Sequence, residues 1–228
     1  MPYLRNSFDL EMETTDEPIN YYLLLTIFFM LFFSINFISC RVKGFSYINN
    51  LVHLFHSICI INLYNSEQYY IGTIFSLAFF FSDTIKLVFM DNVLKKLPYI
   101  IHHIIAFFVL NIIYSDYNNL QEDAVNTYIL LEFSNIPLYL NYFVIKLTDN
   151  NKYKYFKIRK IATLIQLIWY GYYRIFAFGF IILSNLNRLL NQEYIISLIT
   201  LIIYSMGIYW TSVLINQIKN CERKPKNI

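Results

Sequence analysis

Residues 98–115, PYIIHHIIAFFVLNIIYS, decide what kind of chain this is. Pro98 suits the first turn of a helix, where the N–H it lacks would have no intrahelical partner. The run is 18 residues long, close to the ~20 that cross a bilayer core at 1.5 Å per residue. Two adjacent histidines, His102 and His103, interrupt a stretch otherwise fit for lipid. An ionisable side chain at that depth is costly and marks a functional site by default. A lone histidine there is better explained by a hydrogen bond to a neighbouring helix. A doublet accompanied by further polar groups at the same depth is not.

The rest of the chain agrees with a membrane setting. Of its 228 residues 57% are hydrophobic and only 14% charged, with a mean hydropathy of +0.44, whereas a soluble domain carries about 25% charged residues. Five Gly and five Pro leave no flexible linker of any size, and a net charge of +3 gives no case for a nucleic-acid partner. Three cysteines form no disulfide framework. Cys40 and Cys221 end apolar runs beside basic residues, positions compatible with palmitoylation, and Cys59 is an apolar filler. Neither cysteines nor carboxylates flank the histidines at ligand spacing, so no metal is expected.

Apolar runs recur at residues 19–40, 47–64, 69–89, 98–115, 124–147, 161–183 and 194–218. The reading is an all-α membrane protein with a bundle of about seven transmembrane helices. An acidic tail (1–18) precedes the membrane domain (19–218), and a basic tail (219–228) follows it. The acidic tail has no basic region before an apolar core, so it does not read as a cleavable signal peptide. With seven spans, 14 of the 18 Lys and Arg fall in loops on the side of the carboxyl terminus. The excess of positive charge in cytosolic loops then puts the amino terminus in the lumen and the carboxyl terminus in the cytosol.

That orientation gives each polar group a depth at ~1.5 Å per residue. From the cytosolic ends of their spans, His56 lies about 13 Å in, Asp83 about 9 Å, and His102 and His103 about 6–8 Å. Three spans thus offer imidazoles and a carboxylate within one band, which predicts a common site. Glu132 and Arg174 form a second group about 12–14 Å from the lumenal ends. An ion pair is the direct way to hold both at that depth. Lys86 is near enough to the cytosolic boundary to snorkel.

The motifs together resemble a family. His56-Ser57 in the second run, Phe81-Ser82-Asp83 in the third, His102-His103 opening the fourth, and Glu132-Phe133-Ser134 with Asn141 in the fifth are similar to the TLC-domain pattern, the family that includes the ceramide synthases. The resemblance covers about residues 45–218. It implies helices around a lipid-sized cavity in the endoplasmic reticulum, with the doublet facing that cavity. In ceramide synthases the doublet is required for N-acylation of a sphingoid base by acyl-CoA. Those enzymes carry an acidic His-Asp motif in the span after the doublet. Here that span reads LLEFSNIPLYLN, which resembles the smaller TLC-domain proteins.

Two functions follow from that likeness. In the first, the protein is an acyltransferase of sphingolipid or ceramide metabolism. Acyl-CoA is its co-substrate, no cofactor is bound, and a long-chain amine is the acceptor. His102 or His103 serves as general base or acyl-accepting nucleophile, with Asp83 and His56 in the catalytic group. Ser57, Asn141 and Lys86 are the candidates for contacting substrate. In the second, the same groups grip a lipid headgroup and transform nothing. Finally, Lys224 and Lys226 stand fifth and third from the carboxyl terminus, as in the dilysine signals that return membrane proteins to the endoplasmic reticulum.

Overall fold

A computed structural model describes residues 20–41, 46–90, 93–115, 121–148, 154–186 and 194–222. The acidic amino-terminal segment and the tail lysines Lys224 and Lys226 lie outside the described residues. Seven helices are seen among the described residues: α1 Tyr21–Arg41, α2 Ser46–Asn65, α3 Tyr69–Met90, α4 Val93–Ser115, α5 Gln121–Leu147, α6 Phe156–Ser184 and α7 Tyr194–Glu222. No strand occurs among the described residues. Residues 172–177 of α6 form a π-helical segment.

Side chains that meet between helices give their directions. Tyr64 meets Tyr69 and Thr73, while His53 reaches Asp83, so α2 and α3 run antiparallel. Thr84 meets His103 and Tyr70 meets Tyr114, so α3 and α4 are antiparallel as well. The same holds for α2 and α5 (Tyr64 with Tyr128, His53 with Tyr139), for α5 and α6 (Asn141 with Thr163, Ser134 with Arg174), and for α6 and α7 (Gly171 with Thr211, Gly179 with Tyr204). α1 runs parallel to α3, with Phe28 on Phe75 and Asn36 on Ser82. The start of α1 and the end of α7 therefore lie at opposite ends of the bundle.

Six of these helices are long and apolar enough to cross a membrane. The exception is α2, which carries Asn49, Asn50, His53, His56 and Ser57 on its way through. It runs the length of α3 and α5 nonetheless, and those neighbours meet its polar face. The bundle is a multi-pass membrane protein, and its burial pattern is inverted relative to a protein in water. Phe55, Phe81, Phe89, Phe108, Phe176 and Phe180 are exposed, whereas His56, Thr73, Ser82, Asp83, Asn141 and Gln166 are buried. In hydrocarbon nothing outside can satisfy a polar group, so polar side chains turn inward and pair between helices.

The turn between α2 and α3 sets the register of the site. Glu67 takes a left-handed backbone (φ 59°), the Gln68 N–H donates to Leu63 O at 2.8 Å, and the Glu67 N–H donates to Tyr64 O at 3.1 Å. This is the Schellman arrangement, which satisfies the last carbonyls of α2 and reverses the chain. Immediately after the turn, Gly72 lies under the Tyr64 ring. A Cβ added there would overlap Tyr64 Cε1, so only glycine permits this approach. Gly72→Ala should lower the thermal midpoint in detergent, and adding Tyr64→Leu should recover part of the loss. If Gly72→Ala alone melts like wild type, this packing is wrong.

Candidate functional site

Asp83, on the inner face of α3, is 4% exposed and central to the site. Its Oδ1 lies 3.7 Å from His53 Nε2 and 3.7 Å from Lys86 Nζ, and its Oδ2 lies 3.6 Å from His103 Nε2. These are ion-pair distances, longer than direct hydrogen bonds, and Oδ1 has no hydrogen-bond partner in the protein. The carboxylate is thus surrounded electrostatically without being locked by short hydrogen bonds. Lys86 turns inward and donates to Asn49 Oδ1 at 2.5 Å instead of snorkelling out.

The tautomer of His103 follows from its neighbour. Thr84 Oγ1 spends its hydrogen on Phe80 O at 2.7 Å, and the same oxygen lies 2.9 Å from His103 Nδ1. A hydroxyl has one hydrogen, so Nδ1 must be the donor to Thr84. That leaves Nε2, the nitrogen facing Asp83, as the one available to accept a proton. His102, beside it, has no hydrogen-bond partner among the described residues, and its ring borders the same cavity.

That cavity has a volume of about 480 Å³. His53, His56, Asp83, Lys86, His102, His103, Glu132, Asn141 and Arg174 all border it. The two polar groups placed at different depths by the sequence thus adjoin one space. It extends to Asn49, Ile145 and Gln217, towards the end of the bundle where α2 starts and α7 ends.

Two expected roles change position. The imidazole of α2 next to Asp83 is His53, not His56. The α2–α3 register sets residue 53 opposite residue 83 and residue 56 opposite residues 76–80. His56 stacks on Phe79 at 3.9 Å, contacts Ser76 Oγ at 3.1 Å and lies 3.9 Å from Glu132 Oε2. Ser57 faces α5 and donates to Glu132 Oε2 at 2.5 Å; it is not among the residues bordering the cavity.

Glu132 and Arg174 do not form the direct ion pair that their depths suggested. Among the described residues no carboxylate lies within 4 Å of Arg174. Its Nε donates to Ser134 Oγ at 2.7 Å, and its Nη2 donates to Leu131 O at 3.2 Å and Asn135 Oδ1 at 3.1 Å. Its guanidinium also lies 5.3 Å from the Tyr170 ring centre. Three uncharged acceptors on α5 and an aromatic face thus hold the cation, while Ser57 and His56 flank Glu132. Gly207 on α7 allows the close approach, since a Cβ there would sit 3.3 Å from Arg174 Cβ.

Sequence reading missed three contributors. His53 carried a signal, being one helical turn from His56 on the same face. Gln166 did too, as an amide inside an apolar run, spaced by four from Tyr170 and by eight from Arg174. Thr84 carried none, because a threonine beside Asp83 reads as a filler until its two partners are seen.

Removing Arg174 strands acceptors on α5, at about 1–3 kcal/mol for each buried group left unpaired. Arg174→Leu should therefore lower stability in detergent by several kcal/mol. Glu132→Gln keeps an acceptor for Ser57 and should cost clearly less. Equal losses, with strong coupling in the double variant, would restore the direct pair.

No curated protein and no solved structure matches the chain significantly. The family described as the TLC domain matches residues 19–216, a stretch that includes every described helix except the last turns of α7 and every residue bordering the cavity except Gln217. The chain belongs to the TLC-domain family.

Proposed function

We propose that the protein is a membrane acyltransferase of lipid metabolism, moving a fatty acyl group from acyl-CoA to the amine of a long-chain base. One observation carries the reading. His103 has its Nδ1 committed to Thr84 and its Nε2 turned to Asp83, inside a cavity surrounded by apolar helices. The chemistry needs a base at that nitrogen. As the amine nitrogen bonds to the thioester carbonyl carbon, His103 Nε2 takes the proton the amine sheds. The C–S bond then breaks, and the proton passes to the departing thiolate. Asp83 steadies the charge on the ring, and His102 faces the same reaction space. A lipid chain filling the cavity would exclude water and limit hydrolysis of the thioester.

The second reading, a lipid-binding protein without catalysis, draws support from the mixed charge around the cavity. Asp83 and Glu132 adjoin it along with Lys86 and Arg174, which suits a zwitterionic headgroup. Purified protein given acyl-CoA and a long-chain base separates the two. The enzyme reading expects free CoA and an N-acyl product, and His103→Ala should slow release by about 10²–10⁴. Thr84→Val should lower kcat with little change in KM, because it frees the tautomer without touching the acceptor. If wild type binds the lipid and releases no CoA, the binding reading stands.

The loop charges support a cytosolic carboxyl terminus, which a dilysine signal requires, and the proposed location is the endoplasmic reticulum. A tagged reporter carrying Lys224→Ser and Lys226→Ser should leave that compartment for later ones. An unchanged distribution would mean that other features retain it.

A further inference from the structure

A second polar cluster borders the cavity on the wall formed by α5 and α6, and the chemistry above makes no use of it. Asn141 and Gln166 are 4% and 1% exposed. Asn141 Nδ2 donates to Gln166 Oε1 at 2.5 Å and to Thr163 Oγ1 at 3.2 Å. Thr163 fixes which way the amide points. Its hydroxyl hydrogen goes to Arg159 O at 2.9 Å, so towards Asn141 it can only accept, and the atom facing it must be the NH₂ nitrogen. Both hydrogens of that nitrogen are then spent. What remains is an acceptor, Asn141 Oδ1, and a donor, Gln166 Nε2, and neither has a protein partner.

Buried amide atoms are rarely left unpaired, and each orphan calls for a partner from outside the protein. The space both residues adjoin is the cavity. Charge narrows what can fill it. A carboxylate only accepts and would face Asn141 Oδ1, while an ammonium only donates and would face the Gln166 NH₂. The missing group must carry one acceptor and one donor, which neither ion does by itself. A hydroxyl offers both from a single atom. The two orphans, however, sit on different side chains of different helices, and a group that spreads its acceptor and donor over two atoms matches that separation.

We propose that Asn141 and Gln166 recognise a secondary amide of the cavity's ligand, whose C=O accepts from Gln166 Nε2 and whose N–H donates to Asn141 Oδ1. Position favours this too. Asn141 lies two residues beyond Tyr139, whose ring is 5.5 Å from His53. The amide site is therefore beside the Asp83 layer, on the side towards Ile145 and Gln217. Two ligand classes place a secondary amide there. One is the pantetheine arm of an acyl-CoA with its thioester at His103, and the other is an N-acyl lipid. The choice of these classes rests on the acyl-transfer reading, whereas the amide preference does not.

The test uses the full chain in lipid nanodiscs and three probes: pantetheine, a short-chain N-acyl long-chain amine, and its O-acyl ester counterpart, which keeps the carbonyl and lacks the N–H. Losing one neutral hydrogen bond should weaken the ester about fivefold relative to the amide; Asn141→Leu should remove that preference, whereas Gln166→Met should weaken amide and ester alike. This outcome assigns the site to an N-acyl lipid. If pantetheine binds and Gln166→Met weakens it by a similar factor, the site belongs to the CoA arm. Equal binding of amide and ester, with pantetheine absent or indifferent to Gln166→Met, overturns the proposal. So does a preference set by the hydroxyl of the long-chain amine. The amide–ester comparison on wild type stands even where a variant fails to fold. CoA release is measured separately, so an amide preference without turnover would sink the acyl-transfer reading and leave this site in place.

Discussion

A carboxylate at membrane depth has to be surrounded, and surrounding Asp83 takes three helices at once. His53 comes from α2, His103 from α4 and Lys86 from the next turn of α3 itself. None of these groups would be tolerated alone against hydrocarbon, and none has water to fall back on. The positions of α2 and α4 relative to α3 are therefore tied to one charge. Aromatic packing fills in around it: Phe79 beneath His53 and His56, and Phe80 against both residues of the doublet.

The same constraint accounts for α2. Read by itself it is too polar to cross a bilayer, yet it runs between α3 and α5 with its polar face turned to them. Asn49 receives Lys86, His53 faces Asp83, His56 meets Ser76 and Ser57 meets Glu132. Asn49, His53, His56 and Ser57, four of the polar residues that lower its hydropathy, each have a partner on a neighbouring helix. A span of this kind is stable only inside an assembled bundle. Its low hydropathy is thus a trace of the site it carries.

What the sequence made legible was position along each helix. Apolar runs and a fixed rise per residue were enough to predict the helical bundle and the convergence of Asp83 with the doublet. Azimuth was less legible. Whether His53 or His56 meets Asp83 depends on a turn whose decisive residue, Glu67, has a left-handed backbone that its side chain does not advertise. The partner of Arg174 was missed for a related reason. A depth argument treats a buried cation as needing an anion, but three uncharged acceptors at hydrogen-bond distance disperse the charge as well. Thr84 and Thr163 act through where a single hydroxyl hydrogen goes, which no pattern of residue types encodes.

The π-helical segment in α6 belongs to the same logic. Gln166, Tyr170, Arg174 and Phe178 are all buried, and they recur every four residues. In a regular α-helix each such step overshoots a full turn by about 40°, so three steps would carry the stripe about 120° round, towards lipid. The wider turn of residues 172–177 works against that drift. It keeps Arg174 on the cavity and Phe178 in the core, at the point where Gly207 lets α7 close in behind. Gln166 and Arg174 can then share one wall although they lie two turns apart. The cavity is thus bordered by the imidazoles, Asp83 and Lys86 from α2, α3 and α4, and by Glu132, the amides and the guanidinium from α5 and α6.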